Sequence, residues 1–520
     1  MHRRACLDNR KRKRQKVWEQ NDFGVRPETC LNSQRRAILT DLPMYRNVID
    51  GKLQAPASGK YLDSINPATG EVWARVPASD RTDVEAAVDA ARKAFPAWSA
   101  LPAAGRAHYL RQVGDIFRKH SDELTRLELM GIGCQARKSN VPTPAGGLSF
   151  LWDRAAGLTL DAVTGRSVPL DANTMGITRR EPYGVVAAIV PYNSPQGMAS
   201  SKASLAIAAG NTVVLKPPEQ ASPAILRFGE LLAEILPPGV VNMVSGLGAD
   251  VGDPLVRHPD VRKITMTGSP DTARMIQRAA ADNLTSCIFE LGGKSPNIVF
   301  ADADLDRAAP GVTTQAIYTT NAGQACVGGS RILIQRPILD EMLGRMEAIA
   351  KQIRIGDPFD PETTMGPLIS QPQFDKVTGY IEIGKQEAQL VFGGRYGPEL
   401  VPSRPGGFWV EPTLFMTTNN ALRICQEEIF GPVAAVIPFD TEEEAIAIAN
   451  DSRFGLASGL WTRDLARVNR FIRDIRSGNV WVNTYLQTRY ELPFGGIKDS
   501  GYGHDDIMEF TVEKTAVIAT

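Results

Sequence analysis

Histidine is nearly missing from this chain. Five occur in 520 residues (His2, His108, His120, His258 and His504), and none stands in a recognisable catalytic motif. A cysteine hydrolase wants an imidazole to take the thiol proton, so that class has no evident base here. A zinc site draws on clustered His and Cys, and no metal is expected. The six cysteines, Cys6, Cys30, Cys134, Cys287, Cys326 and Cys425, form no CxxC pair, and their sparse spacing fits a reduced, cytoplasmic compartment better than a disulfide framework. Net charge is absent too: 58 basic residues face 58 acidic ones, which argues against a dedicated nucleic-acid protein for the chain as a whole. No run reaches the roughly 18 apolar residues of a membrane span. What remains, 43% hydrophobic and 22% charged, is ordinary for a soluble α/β enzyme, with length for about three domains.

The first forty residues stand apart. "RKRKRQK" (10–16) is strongly basic, yet "VWEQNDFG" follows it instead of an apolar h-region, so it does not read as a secretory signal. Asp8 and Glu19 weaken a transit-peptide reading. We expect a disordered leader over 1–43, with a basic arm for nuclear import or RNA as the other reading. "MYRNVIDGKL" opens the first patterned segment, so the folded body is expected to start at Met44.

"RTDVEAAVDAARKAFPAW" (81–98) spells a helix. Thr82 and Glu85 form a capping box, Val84, Ala87, Val88 and Ala91 share a face, and Pro96 marks the exit. A second helical pattern runs through 104–130. "GVVAAIVPYNSP" (184–195) is a continuous apolar run broken by proline, the pattern of a strand buried on both faces. "NTVVLKPPEQAS", "VVNMVSGLG" and "RKITMTGSP" repeat it, with helical segments between. That alternation predicts a doubly wound parallel sheet. It returns after residue 290 in "SPNIVF", "RILIQ", "PVAAVIPF", "GLASGLWT" and "NVWVN", implying a second α/β domain. Residues 160–182 are polar and strand-like, and read as a hairpin arm.

Four stretches carry chemistry. In "ITMTGSPDTARMI", Ser269 can cap a helix with Pro270 at its first position, a ready site for a pyrophosphate; a plain structural turn is the alternative. "LKPPEQ" sets Lys216 and Glu219 at a strand end, where the carboxylate could accept ribose hydroxyls and repel a 2′-phosphate, or simply form an exposed ion pair. "FELGGKSPNIVF" places Glu290 before a Gly-Gly turn, as a general base if buried or a solvated carboxylate if not. "NAGQACVGGS" surrounds Cys326 with glycines: either a floppy loop or a nucleophile that substrate and backbone must approach closely.

Taken in order, "PYNSP", "NTVVLKPPE", "TMTGS", "ELGGKSPNIVF", "GQACVGGSR", "EEIFGPV" and "LPFGGIKDSGYG" resemble the aldehyde dehydrogenase superfamily, over roughly residues 47–518. The resemblance implies a Rossmann-like dinucleotide-binding domain (44–159 and 183–291), a second α/β catalytic domain (292–504) and a small β oligomerisation arm (160–182 and 505–520). It implies that Cys326 attacks an aldehyde carbon, that Asn193 and the Cys326 backbone N–H hold the oxyanion, and that hydride passes to NAD, with NADP disfavoured. Glu290 then activates water to release the acid. Glu428 and Phe430 are implied at the nicotinamide ribose and ring, Lys216 and Glu219 at the adenosine ribose, and Gly268 and Ser269 at the pyrophosphate. Lys202 matches a family lysine near the catalytic site, a candidate proton relay.

The chain departs from that pattern in places. Tyr192 replaces a usual Trp, and His504-Asp505-Asp506-Ile507 replaces Arg-Glu-x-Gly, which puts the Lys202 relay in question. Ser194 and Ser201 stand where relatives carry bulky aromatics. We therefore expect a roomy tunnel lined by Ser194, Met198, Ser201, Tyr485 and Gln487, suited to a medium or large aldehyde, aromatic or long-chain; Arg489 at its mouth would instead favour an anionic one. The rivals are a CoA-acylating relative, which generally lacks the Glu290 carboxylate, and a catalytically silent one. The implied assembly is a homodimer or homotetramer.

Overall fold

Apolar runs without alternation need cover on both faces, and the computed structural model of the chain provides it. The structure describes residues 42–135 and 145–519; up to residue 41, the expected leader lies outside them. Strand Val185–Ile189 sits mid-sheet, with Thr212–Lys216 parallel on one side and Val261–Gly268 parallel on the other. Val241–Met243 and Ser286–Leu291 extend the sheet outward in the same sense. Chain order thus reverses between Val185–Ile189 and Val261–Gly268, and a crevice opens at the carboxyl ends of strands flanking such a switch point.

The edges of this sheet are antiparallel. Asn47–Ile49 and Lys52–Gln54 close one side. Gly501–Tyr502 closes the other, pairing with Phe289 and Glu290. A boundary at residue 504 therefore does not follow the sheets, because 501–502 belongs with the first one.

Two helix readings need correction. Arg81–Ser99 is capped by Asp80, whose side chain accepts from Thr82 N–H while Asp83 answers to the Asp80 N–H. Thr82 and Glu85 are not the box; buried Asp83 also accepts the Ala57 N–H, which fixes the register. Pro96 lies inside the last turn, not at the exit. The 104–130 pattern is two helices, Ala103–Lys119 and Ser121–Ile132, broken at His120.

Helix Pro195–Ala208 is enclosed by its neighbours. Every residue in it except Met198 is buried. Its small side chains (Gly, Ala, Ser) let other elements close in on all faces, as a helix without a solvent side requires.

The second sheet begins where the first ends. Glu290's strand runs through Gly292–Ser295 into Pro296–Val299, flanked in parallel by Arg331–Gln335 and Ala457–Trp461. Val433–Phe439, Thr413–Met416 and Asn479–Val482 continue it in parallel, and Gln389–Phe392 adds an antiparallel edge. The chain is therefore α/β, with a Rossmann-like sheet, a second α/β layer and a separate β arm.

That arm is a three-stranded antiparallel sheet of Ser167–Asp171, Thr174–Pro182 and Thr511–Ala519. It is smaller than the expected 160–182 plus 505–520. Asp161–Val163 forms a 3₁₀ turn, and Ile507 and Phe510 are buried in the core beneath the first sheet. The Phe510 carbonyl accepts from Asn211 Nδ2 at 2.8 Å. No helix of the described residues is long and apolar enough to cross a membrane.

Phe510 thus ties the tail to the core. Truncating a buried Phe removes burial and leaves a cavity, about 3–5 kcal/mol. Phe510→Ala should lower the thermal unfolding midpoint by several degrees in a calorimetric scan; an unchanged midpoint would show that the tail adds no stability.

Candidate active site

Three strand ends of the first sheet supply one wall. Val185–Ile189 leads through Val190 and Pro191 into Tyr192, Asn193 and Ser194. Val261–Gly268 ends in Thr267 and Gly268; Ser269 then caps helix Pro270–Ala281, accepting from Thr272 N–H at 3.2 Å, with Pro270 at the first position. Ser286–Leu291 delivers Glu290.

The opposite wall is the loop before Arg331–Gln335. Asn321, Ala322 and Gly323 are all left-handed, at φ 49°, 51° and 73°. A Cβ on Gly323 would collide with the Gly431 carbonyl oxygen, so only glycine lets this bend lie against the segment carrying Glu428 and Phe430. A Cβ on Gly293 would stand 2.6 Å from the Cys326 carbonyl oxygen. The glycines exist for close backbone approach. Gln324 locks the loop from the side: its Oε1 accepts the Ile369 N–H at 3.0 Å, and its Nε2 donates to Asn321 O at 3.1 Å.

Cys326 lies where two cavities meet. Asn193, Ser194, Met198, Thr267 and Cys326 border both. The first, about 1110 Å³, also takes in Glu290, Ser201, Asp505, Leu148, Tyr490 and Phe494. The second, about 820 Å³, takes in Tyr192, Gly268, Ser269, Glu428, Phe430, Gln373 and Lys376. Lys216 and Glu219 border neither; they form a 3.2 Å ion pair with the lysine buried.

The tunnel reading is partly corrected. Ser194, Met198 and Ser201 do line the first cavity, but Tyr485 and Gln487 do not. Tyr485 is fully buried, its hydroxyl donating to Val327 O at 2.8 Å behind the nucleophile loop. Gln487 and Arg489 are exposed. Leu486, Thr488, Tyr490, Leu492 and Phe494 line the cavity instead. The segment is bent loop with Leu486 left-handed at φ 57°, and its even-numbered residues turn inward where the expectation chose odd-numbered ones.

Electrostatics at the junction are set by burial. Both Glu290 carboxyl oxygens are buried without a partner among the described residues. Burial, and then the Asp505 charge, hold its pKa well above the usual carboxylate range, with Lys202 partly opposing. Burial likewise pushes the Cys326 thiol up to about 12, helped by Glu428 and Glu290. Burial thus disfavours the charged form of both groups, so each must lose a proton before it can act as a thiolate or a carboxylate. Asn193 Nδ2 donates to Gln324 O and its backbone carbonyl accepts from Asn321 Nδ2, both at 3.0 Å, so the amide is already aimed across the junction.

Lys202, fully buried, donates to Thr265 Oγ1 at 2.9 Å and lies 3.4 Å from Asp505 Oδ1. Asp505 therefore reaches Lys202 although it is one methylene shorter than the expected Glu. Glu428 Oε1 accepts the Gly293 N–H at 3.0 Å, and the Tyr192 and Phe430 rings meet edge to face at 5.9 Å.

Sequence reasoning missed several residues. Gln373 donates to the carbonyls of Ile429 and Phe430, and Lys376 faces Glu428; both lie on helix Gln371–Glu387, which carries no motif. Thr267, beside Ser269, has a hydroxyl buried without a partner at the junction, and its place at the end of a buried strand was the signal that could have found it. Among the described residues no cluster of His, Cys, Asp and Glu could hold a metal ion.

Residues 54–518 match the family described as "Aldehyde dehydrogenase family". A probable aldehyde dehydrogenase of Mycobacterium tuberculosis is 40% identical over 476 residues, covering 90% of this chain and 92% of that protein. A putative aldehyde dehydrogenase structure from Burkholderia cenocepacia superposes with TM-score 0.88 at 39% identity, covering 91% of this chain and 97% of that one. An aldehyde dehydrogenase from Bacillus cereus, solved as its NAD+ complex, gives TM-score 0.88 at 35% identity, covering 96% and 100%. By its sequence and by its fold, the chain belongs to the aldehyde dehydrogenase family.

Proposed function

We propose that this enzyme oxidises a neutral, medium-to-large aldehyde, aromatic or long-chain, to its carboxylic acid with NAD. One observation carries the reading: Cys326 stands at the junction of two cavities with an unpartnered, buried Glu290 on the substrate side.

The second cavity suits a dinucleotide. The N-terminus of helix Pro270–Ala281, with Ser269 and Gly268, offers N–H groups and a positive helix end to a pyrophosphate. Glu428, held by Gly293, offers a carboxylate to ribose hydroxyls, and Phe430 packs beside the ring. The Lys216–Glu219 pair lies at the strand end beyond, where Glu219 would accept the adenosine ribose and repel a 2′-phosphate. When bound, NAD supplies the hydride acceptor.

The chain's own residues do the rest. Cys326 gives its thiol proton to water in the cavity, and the Sγ thiolate adds to the aldehyde carbon; the carbonyl π pair moves to the oxygen, which carries the negative charge and accepts from Asn193 Nδ2 and the Cys326 N–H. Loss of hydride leaves a thioester on Cys326. Glu290, its own proton already lost to solvent, draws a proton from water, whose oxygen adds to the thioester carbon; the C–S bond then breaks, Sγ departs as the thiolate and the acid is released. Lys202 and Asp505 offer a route for that proton away from Glu290.

The lining of the first cavity supports that substrate class. Among the described residues no Lys or Arg lines it; Glu290 and Asp505 are the carboxyls there, among Leu148, Met198, Val327, Leu486, Leu492 and Phe494. An anionic aldehyde would meet like charge without a cation, and Arg489 is not in the lining. Ser194 and Ser201 leave space where large side chains would fill it. The Glu290 carboxyl disfavours a CoA-acylating role, and Cys326, Asn193, Glu290 and Glu428 together disfavour a silent relative. Exposed Val168, Leu170, Met175, Val517 and Ile518 on the arm suit pairing with a second copy in a dimer or tetramer. The free cysteines among the described residues, Cys134, Cys287, Cys326 and Cys425, suit a reducing cytoplasm.

Cys326→Ala should abolish NADH formation from an aldehyde panel, and CoA should not accelerate the wild type; an undiminished Cys326→Ala rate would sink the scheme. Glu290→Gln should release a burst of NADH and then turn over about 100-fold or more slower, since deacylation loses its base. Because burial raises both Cys326 and Glu290, protons must leave for each step, so kcat/KM should climb with pH between about 6 and 9. Benzaldehyde-like substrates should exceed acetaldehyde in kcat/KM, and Ser201→Trp should reverse that order by closing the cavity. A wild type that prefers acetaldehyde would refute the substrate assignment.

A further inference from the structure

A second buried carboxyl lies outside the catalytic junction. Glu128, on helix Ser121–Ile132, is buried and accepts from Gln196 Nε2. Gln196 is the second residue of helix Pro195–Ala208, three positions after Asn193, and it also donates to Leu124 O at 2.9 Å. It is fully buried, and its Oε1 has no donor among the described residues.

A carboxylate can only accept hydrogen bonds. Were Glu128 ionised, the pair would combine a buried charge facing one neutral donor with an orphaned amide oxygen beside it, two costs at one place. A carboxylic acid removes both. Its carbonyl accepts the amide N–H while its O–H donates to the amide oxygen, a closed two-bond ring that one proton completes.

We infer that Glu128 is a positioning residue that, when it carries a proton and is clasped to Gln196, fixes the turn bearing Asn193 and Ser194. The inference rests on the reading of Asn193 as oxyanion donor. No cation among the described residues pairs with Glu128. Its ionisable neighbour is the Cys134 thiol, which packs with Ile132, Ala221, Ile369 and Tyr192, and burial keeps both that thiol and the Tyr192 phenol protonated. Glu123, on the same helix, is occupied at the surface by Arg227 and His120.

The same burial raises Glu128 to about 7. A group raised on folding contributes stability that is present at low pH and lost as pH rises through that value. The clasp is thus closed below about pH 7 and open above it.

Glu128→Gln tests this. An amide facing Gln196 forms the same two hydrogen bonds but does not titrate. KM for a bulky aldehyde should rise several-fold in the wild type from about pH 6 to 9, and stay flat in Glu128→Gln at the wild-type low-pH value. Independently of activity, the thermal midpoint of the wild type should fall relative to Glu128→Gln as pH rises from about 5 to about 7, and level off above that. The infrared carbonyl band of a protonated carboxyl should be present at about pH 6 and reduced in the variant. Superimposable KM and midpoint profiles for the two proteins, or an unchanged infrared band, would overturn the inference. If the midpoint and infrared results hold while both proteins lack aldehyde oxidation, the fault lies in the proposed reaction and not in the proton.

Discussion

Everything at the junction depends on burying acids without counter-cations. Glu290 is buried and Cys326 is half-buried where the two cavities meet, and the lysine nearest Glu290, Lys202, is already turned toward Thr265 and Asp505. Desolvation disfavours the charged form of each acid, and with no Lys or Arg in the lining of the first cavity among the described residues, an anion would find no counter-charge there. A salt-bridged thiolate would be a readier nucleophile, but it would hold water and ions in the cavity. Among the described residues no Lys or Arg borders Cys326 on the side of the first cavity.

Such a junction needs several backbones within contact distance, which explains where the chain spends its unusual geometry. The three left-handed residues 321–323 turn the nucleophile loop against the Glu428 segment, and the Gly292–Gly293 pair lets strand Ser286–Leu291 pass directly into the second sheet beside it. The switch point of the first sheet opens the crevice; the second sheet supplies the loop that closes it. Neither sheet alone could place a thiol between a dinucleotide cleft and a substrate cavity.

How much of this was legible in the sequence differs from residue to residue, for physical reasons. The buried strands were legible because continuous apolar runs admit few other solutions, and the Ser269 cap because Ser-Pro at a helix start has a local cause. Cap register at Arg81–Ser99 was not, since Asp80 and Thr82 are both competent caps and the choice turned on a distant contact of Asp83 with Ala57. The substrate wall was half legible: Ser194, Met198 and Ser201 ride on a helix whose start proline fixes, whereas 485–494 is loop, where a one-residue slip exchanges every inward side chain for an outward one. Gln373 and Lys376 could not be found at all, because they reach the cleft only through the packing of their helix.

Helix Pro195–Ala208 joins these threads. Its first turn follows the Asn193 amide, its cavity face carries Met198 and Ser201, and Lys202 behind them contacts both Thr265 of the first sheet and Asp505 of the tail. A helix buried on every face cannot shift one side chain without moving others, because close-packed interiors transmit displacement instead of absorbing it. The placement of Asn193, the width of the first cavity and the Lys202–Asp505 contact are therefore not independent settings in this enzyme. Ser201 Oγ lies 3.5 Å from Asp505 Oδ2, so a larger residue at 201 would press on Asp505 as well as narrow the cavity, and the small serine leaves the shorter Asp505 room to reach Lys202.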